Sequence, residues 1–296
     1  MVTVKSVRRG GGVYYYLVQA YRWEGAVRKK QVYLGTTVPE NLAAYRDRLE
    51  NEVWSETWFK QFDRIAEAYR NRLRSVPPSV IEKERDTFVL EFTYDTNRIE
   101  GSSLTLDETR SLLTRGISPS SKPVTDIIEA RKHAALARRL MVRPDPLDLP
   151  HLLGWHQELF GETKADIAGQ IRDFEVRIGQ SRYIPPPPVE VRPLLIELLR
   201  RTNRNKGKLH PVLRAGLFHL QFENIHPFGD GNGRVGRLAM NVLLAKEGYP
   251  MLNILYGRRG AYYRALEQAS VRGATRPFLR WFFLRYSRDN RFYLRR

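Results

Sequence analysis

The sequence predicts a mainly α-helical fold preceded by a small antiparallel β meander and one long helix. Three observations carry that expectation. Residues 1–36 have β character: VYYYLVQAYR is aromatic and β-branched, WEGA is a turn, and QVYLG closes a further short strand. From Val38 onward apolar residues recur three and four apart, the period of a helix rather than of a strand. The third is the SVPPS break at 75–79, which ends the first helical run and marks a boundary.

Taken in order, the first helical run extends from Val38 to Arg74, with Leu49, Val53, Trp54, Trp58, Phe59, Phe62 and Ile65 on one stripe. Two domains are expected: 1–75, meander plus long helix, with no assigned role, and 76–296, the main domain. Helices are expected at about 80–99, 105–115, 124–142, 148–161, 191–203, 209–224, 232–247, 260–270 and 275–287. Thr105 and Glu108 form a capping-box pair at one of these starts. The stretch 173–191, DFEVRIGQSRYIPPPPVEV, interrupts them with two β-like runs around Gly179-Gln180 and then four prolines. A hairpin leading into a stiff extended segment follows.

Composition narrows the chemistry. With 42% hydrophobic residues the chain has enough for a core, and zero cysteines exclude disulfides, thiol catalysis and Cys-based zinc sites. No apolar run reaches the ~18 residues needed to span a membrane, and MVTVKSVRRGGG lacks an apolar signal core. A soluble, cytoplasmic protein is expected. The net charge of +18 is concentrated at the ends: 257–296 holds 11 Lys+Arg against 2 Asp+Glu, and 1–75 holds 14 against 8. Such ends suit nucleic acid, an acidic partner or a nucleotide, or are simply Arg-rich solvated helix faces.

The most informative stretch is HPFGDGNGRVGR, 226–237. It joins the helical LRAGLFHLQFENI to the helical RVGRLAMNVLLAKEG. Gly231 and Gly233 would each cost roughly 1 kcal/mol inside a helix, but between helices they admit φ > 0 and close backbone approach. Several amides then converge at a helix N-terminus, which is an anion site. Arg234 and Arg237, three apart, share a face there and suit phosphate oxygens. Asp230 beside them is either an N-cap or a Mg²⁺ ligand. His226 has the near-neutral pKa of a base that could take a proton from a hydroxyl. Phe228 is a core anchor for the loop.

These residues resemble HxFx[D/E]GNGRxxR, the signature of Fic-domain proteins. His226, Phe228, Asp230, Gly231, Asn232, Gly233, Arg234 and Arg237 all match it. The stretch from Leu153 to Arg172, containing LF and AGQIR, and the segments PPPPVEV, YYRAL (262–266) and RPFLRWF (276–282) look like landmarks of the same family, covering roughly 86–285. The resemblance implies a helical core that moves AMP from ATP to a protein hydroxyl, with pyrophosphate released. By position, His226 is then the general base, Asp230 holds Mg²⁺, and Gly231, Asn232 and Gly233 cradle phosphates. Arg234 and Arg237 bind the outer phosphates. Tyr262 and Tyr263 border the adenine pocket, although one of them could equally be core. The hairpin at 174–184 becomes a flap that aligns a target segment by strand addition.

TNRIEG (96–101) resembles the [S/T]xxxE[G/N] motif of the inhibitory helix in such proteins, here expected at about 86–101. Glu100 would pair with Arg237 and block productive ATP binding. By itself TxxxEG is also an ordinary helix end at a glycine. The leading expectation is an autoinhibited adenylyltransferase. The alternatives are a Fic enzyme that mainly removes AMP, and a nucleic-acid-associated regulator in which the Fic core is secondary. Nucleic acid is the less favoured partner, a homodimer is left open, and the target protein is not legible.

Overall fold

The computed structural model describes residues 2–294 apart from Glu24 and Gln180. Its compact units are Met1–Arg64 and Ile65–Arg296. In the first, β1 (Val2–Arg9), β2 (Gly12–Trp23) and β3 (Ala26–Gly35) form an antiparallel sheet in the order β1-β2-β3. Helix α1 (Leu42–Trp54) covers one face, where Leu17, Leu34 and Leu49 make a small core. A single π turn, Ser55–Phe59, leads into α2 (Lys60–Ser75). Tyr21 and Lys30 on the covered face bond Glu56.

The division at Arg64/Ile65 falls inside α2, earlier than the proline break at 75–79. The reason is packing that composition does not reveal: Tyr69 meets Tyr293 edge-on at 5.6 Å, and Arg72 pairs with Glu84. Both partners belong to the second unit.

That unit is helical: α3 (Pro78–Ile99), α4 (Leu106–Arg115), α5 (Val124–Val142), α6 (Leu149–Phe160), α7 (Pro188–Arg204), α8 (Pro211–Ile225), α9 (Asn232–Lys246), α10 (Arg259–Val271) and α11 (Arg276–Asp289). The Thr105–Glu108 capping box is formed at α4, and Gly116 ends that helix in the left-handed region. Helix α9 lies at the centre, packed against α3, α5, α6 and α8, and is buried from Asn232 through Leu244. A helix buried on every side must satisfy each polar group internally. Its polar residues, Asn232, Arg234, Arg237 and Asn241, all have protein partners.

Two details differ from the sequence expectation. Helix α7 begins at Pro188 rather than about 191, because proline is tolerated at the first helical position, where no N–H is needed. The 174–184 segment turns at Ile178–Ser181, where the Ser181 N–H donates to the Ile178 carbonyl at 2.8 Å, yet no strand ladder joins its arms among the described residues. Gln180 lies outside those residues. The second arm is held instead by Glu267 of α10, which accepts from the Ser181 hydroxyl and from the Arg182 N–H. An isolated two-stranded hairpin is marginal in water, and this side-chain anchor takes its place.

Candidate active site

Helix α8 ends at His226, whose φ of 51° is left-handed. Such a backbone is uncommon for a non-glycine residue and clusters at functional sites. Arg172, 4% exposed, secures the position. Its guanidinium donates to the carbonyls of His226 (2.8 Å), Ile225, Phe174 (2.9 Å) and Pro186 (2.7 Å). One side chain thus ties the end of α8 to both ends of the 174–186 segment.

The His226 ring has a defined tautomer. Nδ1 lies 3.2 Å from the Glu223 carbonyl, which only accepts, so Nδ1 carries the hydrogen and Nε2 keeps its lone pair. Burial lowers the imidazole pKa below its ordinary value, against the Glu223 bond, which raises it. The ring is therefore a neutral base at pH 7.

The loop that follows is stapled at two points. Asn232 accepts from the Phe228 N–H at 2.8 Å and donates to the Phe228 carbonyl at 2.9 Å, so both polar atoms of its amide are committed to the loop. Phe228, fully buried, stacks on His156 with centroids 4.0 Å apart. His156 accepts at Nδ1 from the Gly169 N–H and so donates from Nε2 to the Asp230 carbonyl at 3.0 Å. Burial pushes that histidine down to about 4, which keeps it in the neutral form the pattern needs.

Gly231, with φ 76°, precedes α9; a Cβ there would lie 2.3 Å from the Phe160 ring. The first helical bond is from the Val235 N–H to the Gly231 carbonyl, so the N–H groups of Asn232, Gly233 and Arg234 have no intrahelical partner. Together with the helix dipole they form an anion site. A carboxylate already lies against it. A Cβ at Gly233 would meet Glu100 Oε1 at 2.1 Å, so glycine is required beside that side chain.

Glu100 Oε1 accepts from Arg237 Nη2 at 2.7 Å. Arg237, 1% exposed, also donates from Nε to the Thr96 hydroxyl at 2.6 Å and from Nη2 to the Thr96 carbonyl at 3.2 Å. Thr96 on α3 and Glu100, which caps that helix, are four apart and thus share one face. Burial alone would lower the Arg237 pKa, but the Glu100 charge outweighs it and the net shift is upward. Glu223, buried near the same arginine, is pushed up to about 8 by burial, which favours its neutral form at pH 7.

The other arginine is equally engaged. Arg234 pairs with the buried Glu129 and lies 4.4 Å over the Phe160 ring. Lys164 bridges Glu129 and Asp230, at 2.8 Å from each, and Arg234 Nη2 is 3.7 Å from Asp230. Burial would raise the Asp230 pKa, but Lys164 and Arg234 hold it below its ordinary value. Among the described residues no cluster of three His, Cys, Asp or Glu is arranged to hold a metal. A single ionised, half-exposed carboxylate beside an anion site fits Mg²⁺ that arrives on phosphate oxygens, which needs one or two carboxylates.

The structure therefore brings together His226, Phe228, Asp230, Gly231, Asn232, Gly233, Arg234, Arg237 and Glu100. Tyr262 is 1% exposed, its hydroxyl 2.8 Å from His219 Nε2, and belongs to the core. Tyr263 is half-exposed and donates to the Ile99 carbonyl at the end of α3, next to Glu100. Sequence reasoning missed Glu129 and Glu223, which stand in no motif, and gave no role to His156 and Lys164 within the 153–172 stretch. Thr96 and Arg172 lay inside quoted motifs without an assigned contact.

Residues 146–244 match the Fic/DOC family model. The protein adenylyltransferase Fic of Drosophila yakuba is 28% identical over 252 residues, covering 83% of this chain and 50% of the relative. That of Drosophila melanogaster is 33% identical over 192 residues, covering 64% and 38%. The chain thus spans about half the length, or less, of these curated relatives. Among solved structures, Fic-1 (aa134 - 508) from C. elegans superposes with a TM-score of 0.69 at 25% identity, covering 86% of this chain and 78% of that one. A Fic domain containing signaling protein from Bacteroides thetaiotaomicron, 24% identical, shares the fold with a TM-score of 0.69 over 79% of this chain and 96% of that one. The matched motif, the helical core around it and these relatives show that residues 146–244 form a Fic/DOC-type domain within this chain.

Proposed function

We propose that this chain is an autoinhibited protein adenylyltransferase, moving AMP from ATP to a hydroxyl side chain of a target protein. The observation that carries the autoinhibition is the Glu100 carboxylate, lying against Gly233 at the start of α9 and bonded to Arg237. It occupies the place and the cation that a terminal phosphate of ATP would use. The relatives called protein adenylyltransferase support AMP as the group transferred.

In this reading a target hydroxyl approaches the α-phosphate, and His226 Nε2 takes its proton. The hydroxyl oxygen forms a bond to the α-phosphorus, the bond to the bridging oxygen breaks, and pyrophosphate leaves with that electron pair. The Glu223 carbonyl holds the imidazole tautomer and stabilises the proton once it has been taken. The free N–H groups at the start of α9 receive phosphate oxygens, and Arg237 receives an outer phosphate once Glu100 withdraws. Mg²⁺ held by Asp230 would offset the charge of the leaving pyrophosphate. The extended 174–184 segment, secured by Arg172 and Glu267, would align the target.

The test is the intact mass of the full chain after incubation with Mg-ATP. Glu100→Gly should gain the mass of AMP, and Glu100→Gly with His226→Ala should not. No AMP adduct on Glu100→Gly or on any added protein would refute the proposal.

A further inference from the structure

The first unit has a feature that the AMP-transfer chemistry does not use. In its sheet the register sets Lys5 opposite Tyr16, Val7 opposite Tyr14, Tyr16 opposite Tyr33 and Ala20 opposite Lys29. Side chains alternate between faces, so these residues lie on one side. The other side bears Leu17, Val32 and Leu34 and packs on α1. Strand β2 carries three consecutive tyrosines, of which only Tyr14 and Tyr16 can share the outer face. The third strand supplies another: Tyr33 stands 5.3 Å from the Tyr16 ring and 6.4 Å from the Tyr14 ring.

This aromatic cluster is surrounded by charge of one sign. Lys5, Arg9, Arg22 and Lys29 are on the same face and exposed. Among the described residues none of the four has an acidic partner. The sequence from Val2 to Gly35 has seven Lys+Arg and one acidic residue, Glu24. Two acids of the helical layer, Glu52 and Glu56, bond Lys30 and Tyr21 on the covered side. Tyr33 is 51% exposed, and Val7 and Val27 on the same face are also open. A surface built only for phosphates would need the cations without the rings.

We propose that this outer face binds a single-stranded nucleic acid, with bases against Tyr14, Tyr16 and Tyr33 and phosphates against Lys5, Arg9, Arg22 and Lys29. Tyrosine faces stack on bases whatever their identity. Positions two apart on a strand are about 7 Å distant, about twice the rise of a stacked base. A strand that meets both Tyr14 and Tyr16 therefore has its bases separated, which a duplex does not offer. The strand length of β2, 12 residues or about 40 Å, accommodates several nucleotides.

The experiment is fluorescence anisotropy of the full chain with a labelled 20-nucleotide single-stranded DNA of mixed sequence, and with its duplex. Binding should favour the single strand, with log K falling against log salt at a slope of up to about −3, from about −0.7 per phosphate contact. Tyr33→Leu should weaken it about five- to a hundred-fold, as loss of one stacking ring does, whereas Tyr33→Phe should bind as wild type. Lys29→Gln should make the slope shallower by about 0.7. Both sites are exposed, and unchanged thermal melts would verify folding. No binding at low salt, equal or tighter binding of the duplex, or an unaffected Tyr33→Leu would overturn the proposal.

Discussion

Replacing Glu100 with glycine has two effects of opposite sign, and the structure sizes both. In the folded protein Glu100 makes one charge-assisted bond, 2.7 Å to Arg237. The Glu100 side chain is 26% exposed and that of Arg237 1%, so solvent screens the pair little. Bonds of this kind contribute roughly 1.5–3 kcal/mol. If the same guanidinium is needed by an outer phosphate, that energy opposes productive ATP binding, and its removal should raise AMP transfer about 10- to 100-fold. Arg237 keeps its Thr96 contacts but loses its counter-charge, so the ATP-free variant should melt a few degrees lower. Saturating Mg-ATP should restore the loss, since phosphate then takes the place of the carboxylate. The assay is self-labelling with α-labelled ATP for wild type, Glu100→Gly, Glu100→Gln and Glu100→Gly with Arg237→Ala. Glu100→Gln should fall between the first two, and the double variant should lose the gain. Equal labelling by wild type and Glu100→Gly would refute the reasoning, as would a gain that survives loss of Arg237.

Three further outcomes are expected. His226 must be neutral to act as base, and burial lowers its pKa. Transfer in the Glu100→Gly form should therefore rise with pH through a midpoint below the ordinary ~6.5 and level off by about pH 7; a midpoint above 7 in the pH profile of kcat/KM would contradict this. Asp230→Ala should sharply raise the Mg²⁺ concentration needed for half-maximal transfer, and an unchanged Mg²⁺ titration would reduce Asp230 to a loop residue. Glu129→Ala leaves Arg234 buried without its main counter-charge, at a cost of about 3–5 kcal/mol; denaturant unfolding that shows a loss below 1 kcal/mol would mean that Asp230 suffices.

The helical core was legible because its signals are local. Helix starts and stops are set by caps, prolines and apolar spacing within a few residues, and the Thr105–Glu108 box formed as expected. The 226–237 loop was legible because glycine, histidine and arginine have few joint uses at that spacing. What escaped depends on distant pairing. Glu129 stands 105 residues from Arg234, and Thr96 stands 141 from Arg237; nothing in their neighbourhoods marks them as partners. Tyr262 and Tyr263 are adjacent on a helix and so point about 100° apart. Only one can enter the core, and local pattern does not say which. The lack of a ladder among the described residues of 174–184 has a similar origin, since β-rich composition does not supply a partner strand.

The most direct test of AMP transfer follows the two ends of ATP separately. The Glu100→Gly chain is incubated with Mg²⁺ and either α-labelled or γ-labelled ATP, alone and with His226→Ala. Label should reach protein from the α position only, with pyrophosphate released in equal amount, and His226→Ala should reduce it by about 10²–10⁴. Protein labelled from the γ position, or labelling that persists without His226, would contradict the account.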